Sequence, residues 1–190
     1  MPSGSTARRF LSGLAGLALK PVTRRFRGES VHTVDLKGRV SVPAPFRRVL
    51  EDGDPDWAEK LNPNLVLIYG MPSGHCLEGY TIEGAARLDE KVSRLPTFSK
   101  ERRALERLLN TQSIYSQVDE NGRIVLPQRL RDMFGLDEEA LFAGMGEHFQ
   151  IWAPESYGQD TAGIDDWRAG LDADADPFAL LDSMDRESRS

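Results

Sequence analysis

Two short stretches of the chain share one pattern of apolar and polar positions. Arg39-Val40-Ser41-Val42 and Arg123-Ile124-Val125-Leu126 each set two apolar side chains two residues apart, the period of a half-buried strand. Each follows an Asp-x-x-Gly turn and ends at a proline. The segment Val34–Pro43 recurs as Val118–Pro127, 84 residues later, with identities at the Val, Asp, Gly, Arg and Pro positions and again at Arg47 and Arg131. A weaker match, offset by 72, pairs Tyr80 with Trp152 and Glu83 with Glu155. The first copy therefore carries about twelve more residues, and the Asp-, Pro- and Asn-rich stretch Glu51–Asn64 is the natural place for most of them.

Both copies predict the same elements. A strand enters the turn, where Gly38 or Gly122 is expected at positive φ. A second strand follows, and Pro43 or Pro127 ends it and opens a short helix. In the second copy that helix spans Gln128–Phe134 and closes at Gly135. A hairpin completes each unit: Leu65–Tyr69 with Cys76–Thr81, and Ala140–Ala143 with Phe149–Ala153. A β-β-α-β-β unit of this size is marginal alone, so the two copies are expected to pack their apolar faces together.

Helical spacing fills the segment between the copies. Leu88, Val92 and Leu95 share a face of Ala85–Leu95, and Ala104, Leu105, Leu108 and Leu109 share a face of Lys100–Asn110. Pro96 separates the two and Ser99 can cap the second, so an αα-hairpin is expected. Arg102, Arg103 and Arg107 read as a solvated face with Glu101 and Glu106 as partners. The fold class is α+β. The units are 26–81 and 113–157, joined by 82–112 and flanked by a basic extension over 1–25 and an acidic tail over 158–190, both expected to be disordered.

Charge changes the picture. The 190-residue chain has a net charge of −6, but residues 1–131 hold 21 Lys/Arg against 15 Asp/Glu, and residues 132–190 hold 3 against 15. A basic body of this kind can bind phosphates while an acidic tail stays in solvent. The tail lacks the glycine and closing glutamate of a calcium loop. Arg8-Arg9 before the apolar run Phe10–Leu19 resembles an export signal superficially; the run is short, Lys20 closes it and no A-x-A-like site follows. It is also too short to span a bilayer. The single cysteine, Cys76, excludes an intramolecular disulfide and fits a reducing cytosol. No Cys/His cluster suggests a metal, no residue set implies a cofactor or small-molecule substrate, and His32, His75, His148 and Cys76 form no catalytic spacing.

The remaining chemistry is nucleic-acid recognition. A DNA reader needs cations for phosphates and donors for base edges. The arginine of each turn, Arg39 or Arg123, is a planar five-donor fork suited to guanine or phosphate. Lys37 adds a point charge, and Arg27, Arg47 and Arg48 can add phosphate contacts. Asp35 and Asp119, with Gly38 and Gly122, are expected to hold the turns. The competing reading is that each arginine only pairs with its own aspartate, and that Arg47 and Arg131 are helix-surface or interface residues. Copy one, with Lys37 where copy two has Glu120-Asn121, is expected to contact DNA more strongly.

The run Phe26-Arg27-Gly28-Glu29, the two motifs Asp35-x-x-Gly38-Arg39 and Asp119-x-x-Gly122-Arg123 with their prolines, and the linker Arg94-Leu95…Arg102-Arg103…Leu108-Leu109 resemble the MraZ family over about residues 26–157. Each half resembles a SpoVT/AbrB-type domain. The resemblance implies one pseudo-twofold β-barrel core built from both units. It also implies a bacterial transcriptional regulator, cytoplasmic and nucleoid-associated, that binds short double-stranded promoter repeats upstream of its own cell-division and cell-wall gene cluster as a ring-shaped homo-oligomer. It carries the family's motif arginine onto Arg39 and Arg123. An AbrB-fold antitoxin or protein-interaction scaffold is the alternative.

Overall fold

The computed structural model describes residues 24–58, 61–71 and 75–170. Most of the basic extension, and residues 171–190 of the acidic tail, lie outside the described residues. The elements run β1 (Glu29–Thr33), β2 (Arg39–Ser41), α1 (Ala44–Asp52), β3 (Asn64–Ile68), β4 (Leu77–Thr81), α2 (Ile82–Ser93), α3 (Lys100–Thr111), β5 (Ser113–Gln117), β6 (Arg123–Val125), α4 (Gln128–Phe134), β7 (Glu139–Gly144), β8 (Phe149–Trp152) and α5 (Pro154–Ala169). The two copies repeat the same order, and the αα-hairpin lies between them. Ser99 caps α3 as its position suggested, accepting from the Arg102 amide.

Each copy keeps its expected hairpin, β3 with β4 and β7 with β8, and the other strand pairings cross between the copies. A six-stranded antiparallel sheet has the order β1-β7-β8-β4-β3-β5, and β2 pairs with β6 in a separate two-stranded ribbon. Exchanging the copies turns the sheet order into its own reverse and the ribbon into itself. The register obeys the same exchange, with Val40 opposite Ile124 and Glu78 opposite Gln150 at the two centres. Glu29 pairs with Ala143, and its equivalent Ser113 pairs with Ile68, so β3 and β7 are offset by 75. Nine of the twelve extra residues thus lie between α1 and β3, and the other three lie between β3 and β4. Buried Asp54 anchors the longer insertion by accepting from the Asn64 amide and side chain and the Asp56 amide.

The strand pairing does not close into a barrel. β1 and β5 are the sheet's edges among the described residues, and the ribbon, α1 and α4 cover one face. Among the described residues a single isolated bridge, Val34 to Val40, pairs the end of the β1 segment with the ribbon. Three-residue strands are too short to extend the ladder around both sides. The core beneath holds Val40, Val42, Ile124 and Leu126 from the ribbon and an aromatic cluster of Phe26, Phe46, Phe142 and Phe149. Burying each large aliphatic side chain there contributes roughly 1.5–3 kcal/mol.

The sheet's other face is covered twice. α2 and α3 lay Ala85, Leu88, Leu108 and Leu109 over Val66, Ile68 and Tyr80, and Tyr157 of α5 packs on Leu141, Ala143 and Trp152. α5 corrects the expectation of disorder from residue 158, because it is helical to Ala169. It follows β8 as α2 follows β4, so the helix belongs to the repeat. Pro154 starts it, Tyr157 contacts the Trp152 ring edge-on, and the Tyr157 hydroxyl donates to Glu29 at 2.6 Å. No helix among the described residues is long and apolar enough to cross a membrane.

Candidate nucleic-acid interface

The ribbon has two chemically different faces. Val40 and Ile124 are fully buried, so their neighbours Arg39, Ser41, Arg123 and Val125 face outward. Val125 is 54% exposed. Arg39 lies opposite Val125 and Ser41 opposite Arg123, so the two arginines occupy diagonal corners. They stand two residue steps apart along the ribbon, about 7 Å. An Asp-x-x-Gly turn sits at each end.

The turns are nearly superimposable in their bonding. The Gly38 amide donates to the Asp35 carbonyl at 2.8 Å, and Gly122 to Asp119 at 2.8 Å. Gly38 has φ 76° and Gly122 φ 75°, conformations that favour glycine. Asp35 Oδ1 accepts from the Lys37 and Arg39 amides at 2.9 Å each. Asp119 Oδ1 accepts from Asn121 at 2.8 Å and Arg123 at 2.9 Å. The Arg39 backbone amide, its guanidinium and the Lys37 amide hold the Asp35 carboxyl below its usual range, against a smaller effect of desolvation. For Asp119 desolvation is the largest influence and acts upward; the Arg123 amide and guanidinium and the Asn121 amide outweigh it, so that carboxyl is also lowered. Each turn then docks on the other strand: the Val42 amide donates to Gly122 at 2.9 Å and the Leu126 amide to Gly38 at 2.8 Å.

Each arginine pairs with its own aspartate, but differently. Arg39 donates to Asp35 Oδ2 through Nε at 2.6 Å. Arg123 sets Nε at 3.1 Å and Nη2 at 3.0 Å from Asp119 Oδ2. Among the described residues, both guanidinium nitrogens at the tip of Arg39 are thus left for a ligand, against one for Arg123. Pairing with the aspartate aims the fork and does not exhaust its donors. Lys37 is exposed, and Leu36 beside it is fully exposed.

Arg27 is not brought to the turns. It lies beyond the far end of β1, with its backbone against Gly144. Arg48 is exposed on α1, and Arg102 pairs with Glu106 at 2.7 Å. The helix arginines Arg47 and Arg131 hold a position that sequence reasoning left open. Arg131 of α4 packs on Gly38, where an added β-carbon would lie 2.9 Å from Nε. Arg47 of α1 packs on Gly122, where one would lie 2.7 Å from Cζ. Each helix thus reaches the turn of the other copy. The available signal was their identity at equivalent repeat positions.

No group of three or more His, Cys, Asp or Glu among the described residues is placed to hold a metal ion. Burial, with Glu78 and Asp160 nearby, pushes the Cys76 thiol up to about 12, which leaves no thiolate nucleophile at neutral pH.

A family model described as "MraZ protein, putative antitoxin-like" matches residues 25–108 and 111–166, which includes both turns, the ribbon and most of α5. The chain belongs to the MraZ family. Among similar proteins named transcriptional regulator MraZ, that of Ruegeria pomeroyi is 49% identical over 162 residues, covering 85% of this chain and 97% of the relative. One from Cereibacter sphaeroides is 41% identical over 164 residues, covering 83% and 95%. One from Roseiflexus castenholzii is 36% identical over 132 residues, covering 70% and 83%. The MraZ match reaches Asp166, in agreement with α5 as part of the repeat.

Proposed function

We propose that this MraZ-family chain is a bacterial transcriptional regulator that reads double-stranded DNA with the β2–β6 ribbon and its two turns. The observation that carries this reading is the outward face of the ribbon, which presents Arg39 and Arg123 on a strand pair whose other face is locked into the core. The major groove of B-DNA admits a two-stranded ribbon. Arg39 supplies a fork for guanine or phosphate, Lys37 a phosphate contact, and Ser41 and Val125 a polar and an apolar group toward base edges. Asp35 and Asp119 hold the turns; Arg123 is the weaker contact, and Arg27 stands outside the interface.

The family supports the finer assignments: a cytoplasmic, nucleoid-associated protein that binds short repeats upstream of its own cell-division and cell-wall genes as a ring-shaped homo-oligomer. The exchange symmetry of the pairing supports two SpoVT/AbrB-like halves about one pseudo-twofold axis. The test is footprinting of the full chain on DNA upstream of its own gene, with native mass measured in parallel. Protection of regularly spaced repeats by a multimer is expected, with affinity falling steeply in salt. No protection there, or a flat salt response, overturns the reading. The antitoxin-like character of the matched family favours a second reading, in which the chain neutralises a small basic toxin; co-purification of such a partner from the native host, without DNA protection, would establish it.

A further inference from the structure

We infer that Arg131 is a positioning residue for the DNA-binding turn of the opposite copy: its guanidinium braces Gly38 and so sets the direction of Lys37 and Arg39. The inference rests on the reading of that turn as a DNA contact and names what holds it.

Three observations converge. Arg131 is only 9% exposed, although arginine is almost never buried without a structural or functional partner. Its side chain lies against the one turn residue with no β-carbon, with Nε and Cδ at 2.9 and 3.4 Å from where that carbon would stand. Its Nη2 donates to Gln128 one turn earlier on α4, which fixes the guanidinium from the helix side, while the buried Nε has no hydrogen-bond partner among the described residues. An orphaned buried donor is costly, so the position is held by what packing against the turn gains.

The equivalent brace on the second turn is weaker by construction. Arg47 packs on Gly122 from α1, but Ala44 stands where Gln128 stands on α4, and Arg47 is half-buried. The turn that carries Lys37 therefore has the more firmly held brace. Because Arg131 acts from the second copy on the first, the two halves of the duplication depend on each other for one binding surface.

A positioning role and a direct phosphate contact make different predictions. Loss of a contact lowers the slope of log affinity against log salt by about one per site, whereas loss of positioning weakens binding and leaves that slope alone. Arg131→Ala should weaken binding to the upstream DNA about tenfold, within the range of one lost base contact, with the slope unchanged. Hydrogen exchange at the Lys37 and Arg39 amides, which Asp35 holds, should quicken. Arg131→Lys should restore part of the affinity. Arg131→Met, which keeps the stem, replaces the alanine variant if that fails to fold. Where Arg39→Ala weakens binding, unchanged affinity or a slope lowered by one overturns the brace, and unchanged exchange at both amides overturns it in every case. Arg39→Ala is the control. If it too leaves binding intact, the DNA reading of the turn has failed, and the exchange data still decide whether Arg131 holds it.

Discussion

Asp35–Arg39 and Asp119–Arg123 share one backbone and offer different chemistry. Glycine φ, the turn hydrogen bond and the two amides held by the aspartate agree to within 1° and 0.1 Å. Outward, the first turn shows Leu36 and Lys37, while the second shows Glu120 and Asn121. The first arginine touches its aspartate through one nitrogen and the second through two. Duplication thus preserved the part that folds and let the part that faces solvent diverge. The preserved part is pinned by the ribbon, since each turn must also bond to the opposite strand; the tips have no such constraint.

The largest effect should come from breaking the shared backbone. Both glycines would resist a side chain on conformational grounds, but the obstacles differ. At Gly38 an added β-carbon meets the Leu126 carbonyl, which is backbone and cannot yield without opening the ribbon; at Gly122 it meets the Arg47 guanidinium, the flexible end of a half-buried side chain. Gly38→Ala should destabilise the fold by about 2–4 kcal/mol and Gly122→Ala by about 1–3 kcal/mol. Chemical denaturation of the two variants beside the wild type checks this, and equal losses would mean that the Leu126 contact relaxes freely.

Next in size is the arginine pair. Arg39→Ala should cost roughly 1–3 kcal/mol per engaged turn, multiplied in an oligomer that engages several repeats. Arg123→Ala should cost measurably less, because two of its nitrogens already serve Asp119. Anisotropy titrations on one DNA fragment compare the two directly. Equal losses would remove the asymmetry between the halves, and no loss from either would remove the ribbon from the interface.

The two strands of the ribbon and their turns were legible because their signals are local. Alternation marked Val40 and Ile124 as inward, and the Asp-x-x-Gly spacing marked the turns. The hairpins β3–β4 and β7–β8 were legible, but the pairings across the copies were not: β1 pairs with β7 and β3 with β5, and nothing in the neighbourhood of Val31 or Tyr115 names a distant partner. α5 was missed because its acidic surface has no apolar stripe; only the Glu83–Glu155 match, running past the strand into the next element, marked it as the counterpart of α2. Arg47 and Arg131 were visible as a repeated identity, but their reach to the opposite turn depends on the exchange of strands between copies.

The smallest effect sharpens the comparison most, because it moves chemistry between the turns without touching their backbone. Lys37 and Asn121 each donate their amide to the motif aspartate, and both side chains are exposed. Lys37→Asn and Asn121→Lys should therefore leave stability within about 0.5 kcal/mol of wild type. A lysine that meets a phosphate adds about 0.9 to the salt slope. Lys37→Asn should lower the slope by that amount and weaken all sequences alike, since a phosphate contact carries no sequence information. Asn121→Lys should raise the slope by less, because Glu120 beside it opposes the phosphate. If Asn121→Lys raises the slope by the full amount, the second turn already lies against DNA and its side chains alone make it the weaker contact. If the slope does not move, that turn stands away from the duplex, and the difference between the halves is one of placement.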